Sequence, residues 1–137
     1  MKDLEIYGWR KEGYDPFLVS DGWQIANLTA CSEHRLDDLV DMEVHKATDE
    51  VFVCLAGRGI LITADYSGEK AVFAAELMEN GVTYNVPAGL WHNISMDEAA
   101  RIIIVEKSNT HLDDVEHKVF TPEEKAEVDR LVKEAVA

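Results

Sequence analysis

The 137-residue sequence predicts an all-β domain, an antiparallel barrel or sandwich completed by a C-terminal helix. Short apolar runs recur between residues 23 and 105, and Gly, Asn, Asp and Pro separate them at close intervals. Such spacing is typical of antiparallel sandwiches and barrels. A chain of this length has the size of one domain, since domains commonly contain about 100 to 150 residues. We therefore predict a single domain over residues 1–137, with the barrel at about 23–107.

Eight segments carry the strand signal. The first alternates loosely between apolar and polar residues, and a short polar connection joins the second to the third. A Ser-Gly step at Ser67 and Gly68 marks a turn between the fourth and the fifth. The predicted strands are residues 23–29, 39–45, 50–55, 60–64, 71–77, 84–86, 92–96 and 101–105.

The C-terminal segment changes from strand to helical periodicity. Thr121 supplies a hydroxyl cap, Pro122 stands at the first helical position, and Glu124 completes a capping box. Apolar residues then recur at helical spacing up to Ala135. We predict an amphipathic helix at about 122–136 that packs on the barrel, with a dimer contact as the alternative. Residues 1–22, which include Trp9, are predicted to form an arm along the domain surface.

The composition of the chain disfavours two classes of partner and indicates where the protein is located. The chain has 13 Lys and Arg against 27 Asp and Glu, and its net charge of −14 disfavours binding to nucleic acid or to anionic membranes. No apolar run approaches the length of a membrane span, and the N-terminus has no signal region. Cys31 and Cys54 lack Cys-x-x-Cys spacing, so we interpret them as reduced core thiols of a cytoplasmic protein.

Two carboxylates and two imidazoles have the spacing of a buried metal site. Side chains two residues apart on a strand point to the same face, so one assignment turns four candidate ligands inward together. The ligands are Glu43, His45, Glu50 and His92, and the pocket beside them is formed by Phe52, Ile94 and Met96.

Burying these groups without a partner would be unfavourable. Each uncompensated charge loses its hydration, and neighbouring carboxylates raise each other's pKa. A divalent cation relieves both effects, and its ligands are then deprotonated. The remaining histidines, His34, His111 and His117, have polar neighbours in the sequence, and we expect them to be solvated.

The same residues resemble the two motifs of the cupin family. Gly81, Pro87, Gly89 and His92 follow the second motif, whereas His45, Glu50 and Gly57 follow the back half of the first. The resemblance spans residues 39–105 and implies a double-stranded β-helix, or jelly roll, within a small single-domain cupin. It also implies that His45, Glu50 and His92 occupy three ligand positions on two adjacent strands and one later strand.

The chain departs from the family pattern at three positions. Glu43 stands where the first histidine is expected, Asp37 replaces a glycine, and Met96 replaces the asparagine that ends the second motif. Without Glu43 the ligands form the two-histidine, one-carboxylate set of non-haem Fe(II) enzymes. With Glu43 the donors suit a divalent transition metal (Fe, Mn, Ni, Co or Zn) without a strong choice.

Three functions agree with this resemblance. The first is a metal-dependent enzyme acting on a small organic metabolite as an oxygenase, an isomerase or epimerase, or a lyase, with Glu43 as a fourth ligand or as the catalytic base. The second is a non-catalytic module that binds a small molecule or a metal, and the third is a scaffold without either. The resemblance also leads us to expect a homodimer, to which the apolar arm and the helix lend themselves.

Overall fold

Two five-stranded antiparallel sheets face each other in the computed structural model, which describes residues 3–137. The strands are β1 Tyr14–Val19, β2 Gln24–Thr29, β3 Asp41–Val44, β4 Glu50–Ala56, β5 Gly59–Asp65, β6 Val72–Leu77, β7 Thr83–Val86, β8 Trp91–Met96, β9 Arg101–Glu106 and β10 Glu116–Val119. Sheet I has the order β1-β2-β9-β4-β7, and sheet II has the order β10-β3-β8-β5-β6. The helices are a single 3-10 turn at Ser32–His34, α1 at Thr110–Asp113 and α2 at Pro122–Val136.

This arrangement confirms the predicted jelly roll and all eight predicted strands, most to within one residue. Over residues 3–137 the two sheets share no hydrogen-bonded ladder, so the domain is a sandwich and not a closed barrel. The sequence prediction lacked β1, β10 and α1.

The main core lies between the sheets. Sheet I contributes alternating residues such as Leu28, Phe52 and Ile102, and sheet II contributes Ile94 and Met96. Along β4 and β9, residues that face the core alternate with partly exposed residues on the outer face. This period of two is typical of a sheet with one face exposed to solvent.

The inner strands of sheet II, β5 and β8, are buried on both faces of the sheet. Its outer face packs against α2 through Val128 and Val132, which confirms that the helix packs on the domain. The segment Ile60–Ala64 is therefore apolar without strict alternation. The predicted capping box begins α2, since the Glu124 amide donates to Thr121 Oγ1 at 3.1 Å and the Thr121 amide donates to Glu124 Oε1 at 2.9 Å.

The N-terminal arm is shorter than the predicted 1–22, of which residues 1 and 2 lie outside the described part of the chain. Residues 14–19 form β1 at the edge of sheet I, paired with β2. Pro16 is tolerated there because the strand is an edge strand, and the register shifts between Asp15 and Leu18. The arm at residues 3–13 is held by Arg10, whose amide donates to the buried Asp15 carboxylate at 2.6 Å.

No helix within residues 3–137 has the length and apolarity needed to cross a bilayer. Both cysteines are free, and Cys54 is fully buried in the main core. Burial raises the pKa of the Cys54 thiol, which therefore stays neutral, as expected for a core residue and not a metal ligand.

Candidate metal centre

The four predicted ligands converge between the two sheets. One donor atom from each of Glu43, His45, Glu50 and His92 lies within 4.8 Å of the others. Glu43 and His92 are directly opposite on the paired strands β3 and β8, whereas Glu50 begins β4 of the facing sheet. His45 follows immediately after the last residue of β3. The cluster could hold one metal ion.

Backbone carbonyls fix the orientation of both imidazoles. His92 Nδ1 donates to the Leu90 carbonyl at 2.9 Å, and His45 Nδ1 donates to the Asp114 carbonyl. The Asp114 carboxylate also accepts from the amides of Lys46 and Ala47, which holds the loop after His45 in place. Since a carbonyl can only accept, each Nδ1 carries a hydrogen, and the neutral ring presents Nε2 as an unprotonated acceptor. Metal-binding histidines are typically oriented in this way.

Both free nitrogens point at the same carboxylate oxygen. Glu50 Oε1 lies 2.7 Å from His92 Nε2 and 3.4 Å from His45 Nε2. Two ring acceptors and an ionised carboxylate cannot hydrogen-bond one another without a proton or a cation between them. The donor set therefore fits a divalent ion, which would satisfy all three groups at once.

Without an ion, protons take that place. Burial lowers the pKa of His45, but its contact with Glu50 outweighs burial and raises the pKa to about 9. Burial opposes ionisation of Glu50, yet the two imidazoles outweigh it and lower its pKa to about 2. For Glu43, burial and then the neighbouring Glu50 raise the carboxyl pKa. Protons would thus compete with a metal ion for the same atoms.

A third acidic residue, which the sequence analysis missed, borders the cluster. Glu106 on β9 lies directly opposite Glu50 on β4, and its Oε2 is 3.7 Å from His45 Nε2. Burial and then Glu50 raise the pKa of Glu106 to about 7. A signal was present, because the inward alternation of Ile102 and Ile104 continues to Glu106, one residue beyond the predicted strand.

A cavity of about 280 Å³ opens beside the cluster. Glu43, His45 and Glu50 line it together with Phe52 and Ile94, as predicted for the pocket wall. Met96 was also predicted to line the pocket, but it is not among the described lining residues and has no exposed surface. It faces the same side as Ile94 yet lies two residues deeper in the core, where β8 pairs with Gly59.

The other histidines lie at the mouth of this cavity, contrary to the prediction that all three are solvated. His34 Nδ1 contacts the Ile94 carbonyl at 3.0 Å, and His111 Nδ1 contacts Gln24 Nε2 at 2.9 Å. His117 is exposed and forms an ion pair with Asp41 at 3.1 Å. Segments that the sequence analysis left without structure, the 3-10 turn, α1 and β10, bring them there.

A larger groove, of about 530 Å³, lies on the outer surface between β6 and α2. Arg130 in this groove is exposed and forms an ion pair with Glu127 at 2.7 Å. It contains none of the four converging residues. The smaller, inner cavity is therefore the candidate site.

No protein-family profile and no curated protein matches the sequence. Solved structures do match. A variant of Streptomyces PAC13 with uridine gives a TM-score of 0.58 at 11% identity, covering 93% of this chain and 98% of that one. A Bacillus halodurans protein gives 0.55 at 20%, covering 85% and 82%. Oxalate decarboxylase from Bacillus subtilis gives 0.52 at 16%, covering 79% of this chain and 28% of the enzyme. PAC13 and oxalate decarboxylase have the cupin fold, and these likenesses establish that fold for the present chain.

Proposed function

We propose that this chain, a small cupin domain, is a divalent-metal-dependent enzyme that acts on a small organic metabolite. One observation carries the proposal: two buried imidazoles direct Nε2 at one carboxylate oxygen while backbone carbonyls anchor both Nδ1 atoms. Buried hydrogen-bond acceptors that face one another are unfavourable without a donor between them, whereas all of them can bind one cation.

His45, Glu50 and His92 would hold the ion. Two nitrogen donors with one or two carboxylates suit Fe, Mn, Ni, Co or Zn. A bound divalent ion supplies polarisation of a carbonyl, enediol or carboxylate oxygen, or activation of oxygen. Glu43, the least buried of the four, would either complete the ligand set or act as a general base on the substrate.

The remaining lining residues would bind and shield the substrate. Phe52 lines the cavity and packs edge-on against the His92 ring, with centroids 5.9 Å apart. Phe52 and Ile94 would exclude water from one side of a bound molecule. The reaction stays open between oxygenase, isomerase or epimerase, and lyase, since the fold supports many chemistries.

Metal loading tests the function. We expect Fe(II), Mn(II), Ni(II), Co(II) or Zn(II) to raise the melting temperature of metal-free protein, because the ion binds the folded state and not the unfolded chain. Turnover and oxygen consumption are then measured with diols, aldoses, keto acids and thiols. A melting shift with no turnover would favour the non-catalytic binding module, and no shift with any ion would contradict a metal site.

Glu43→Gln in the same assays separates the two roles of that residue. As a ligand, its loss lowers metal occupancy; as a base, its loss leaves occupancy intact and lowers turnover. Glu33→Gln is the matched control, because Glu33 lines the same cavity but is exposed and outside the cluster.

We further propose a homodimer, which the exposed apolar arm supports. Leu4 and Ile6 are 85% and 86% exposed in the structure. Burying both against a second copy would stabilise the association by about 1.5 to 3 kcal/mol per side chain. Sedimentation is expected to give twice the 15.4 kDa chain mass at micromolar concentration. Leu4→Ser with Ile6→Ser should shift it toward the single-chain mass, whereas Leu112→Ser, at another exposed apolar residue, should not.

We also place the protein in the cytoplasm with a small-molecule partner. Both cysteines are free, which suits a reducing compartment. The net charge of −14 favours such a partner over nucleic acid or a membrane surface.

A further inference from the structure

Glu106 lines the cavity with one carboxyl oxygen, Oε2, that accepts no hydrogen bond from the described residues, although His45 Nε2 lies 3.7 Å from it. Its side chain is 1% exposed. Oε1 accepts hydrogen bonds from the Tyr14 hydroxyl at 2.9 Å and from Gln24 Nε2 at 3.1 Å. Oε2 is buried and has no hydrogen-bond partner among the described residues, although Glu106 lines the cavity. A buried carboxyl oxygen without a partner is unfavourable, so a bound molecule that donates to Oε2 would recover a lost interaction.

The surrounding residues hold this carboxyl in place. Gln24 has no exposed surface. Its Nε2 contacts Tyr14, Glu106 and His111, and its Oε1 accepts from the Asn109 amide at 2.8 Å. The orientation of Glu106 is therefore set before any ligand binds, and little conformational entropy remains to be lost on binding.

The charge of the cavity disfavours an anionic ligand. Glu43, Glu50 and Glu106 lie along its inner wall and Glu33 at its mouth, whereas no Lys or Arg lines it in the described part of the chain. A divalent ion brings two positive charges against three inner carboxyl groups. Because no Lys or Arg side chain of the described wall can pair with an anionic group, the carboxyl groups make the cavity less favourable for anions than for neutral or cationic molecules.

The rest of the wall is apolar, and the volume is small. Leu28, Phe52, Ile94, Ile104 and Val115 line the cavity beside the polar groups. Its volume of about 280 Å³ is at the lower end of ligand sites. A compact apolar body with one polar group fits this combination better than a fully hydroxylated or extended molecule.

We propose that the cavity selects neutral or cationic small molecules with a hydroxyl or amino group on a compact apolar body, and that this group donates to Glu106 Oε2. The inference deepens the proposed function, on which it rests for the site itself. Phosphates, keto acids and other anions are then poor ligands. Alcohols and amines are the substrate class.

Four benzyl compounds of similar size test this selection by calorimetric titration of the full chain, metal-free and Zn(II)-loaded. Benzyl alcohol and benzylamine carry a donor, benzyl methyl ether carries none, and benzoate is an anion. We expect benzyl alcohol to bind at least about fivefold more tightly than the ether, and benzylamine at least about tenfold more tightly than benzoate, as for single hydrogen bonds to a charged group.

Glu106→Gln separates recognition from general electrostatics. It keeps an acceptor for Tyr14 and Gln24, so the fold is preserved, but it removes the carboxyl. We expect benzylamine to bind about tenfold more weakly and the ether to bind as before. Glu33→Gln removes the same charge at the exposed mouth and should change benzylamine binding by less than about twofold.

Two kinds of failure are distinguishable. If Zn(II) binds but benzoate binds as tightly as benzylamine, or if Glu106→Gln has no effect, the selection is overturned while the metal site stands. If no ion binds, the proposed function fails. The order of affinities of the four benzyl compounds for metal-free protein then still tests whether the cavity selects alcohols and amines. No binding of any of the four compounds at millimolar concentration also overturns it.

Discussion

His92→Ala is expected to lower the affinity for divalent metal at least about 100-fold, since even removing a group that only orients a ligand costs 10- to 100-fold. His92 is 1% exposed, its Nδ1 is fixed by the Leu90 carbonyl, and its Nε2 lies 2.7 Å from Glu50. Its loss removes one of two nitrogen donors and leaves a cavity that water fills. Elemental analysis of the purified proteins checks this.

The control is His117→Ala. This histidine lies at the mouth of the same cavity, but it is exposed and outside the converging four. Its metal content should equal that of the unaltered chain. Because His92 also packs against Phe52, His92→Gln is measured alongside, with circular dichroism to verify folding. Equal trace metal in the unaltered chain and in both His92 variants would contradict the site.

Local periodicity explains why the convergence of these four side chains could be predicted. On β4 the alternation from Glu50 through Phe52 to Cys54 places a charged residue on the same face as two core residues. A carboxylate on the same face as a core phenylalanine needs a partner for its charge. On β8, His92 likewise lies on the same face as the core residue Ile94. The sequence alone thus indicated which groups turn inward.

The rest of the site depends on contacts between distant segments. Asp114 orients His45 from 69 residues away, and Tyr14 contacts Glu106 across 92 residues. Such pairings follow from tertiary packing, which periodicity cannot report. The edge strand β1 was missed because Pro16 and a register shift interrupt its pattern. The depth of Met96 likewise depends on how the sheets stack, and not on which face it occupies.

Glycines 57 and 89 both belong to the cupin-like motifs, yet only one of them is closely packed. Gly57 has a φ of +66°, and a Cβ there would lie 2.4 Å from the Ala100 amide nitrogen and 2.5 Å from the Ala99 carbonyl carbon. Those are backbone atoms of the turn before β9, held by the bond from the Ala100 amide to the Asp97 carbonyl. Gly89 has a φ of +87°, and nothing lies within 4 Å of its Cβ position.

Gly57→Ala is therefore expected to lower the free energy of unfolding by about 4 kcal/mol, from left-handed backbone strain together with the backbone clash. Gly89→Ala carries the strain alone and should lose about 1 to 2 kcal/mol. Urea denaturation measures both values. Equal losses for the two variants would show that the turn before β9 moves away from the added Cβ at little cost.

Glu50 begins β4 and Gly57 follows its last residue, so the two lie about 20 Å apart along the strand. Folded Gly57→Ala protein should therefore bind metal normally, which would separate the part of the motif that shapes the sandwich from the part that binds the ion.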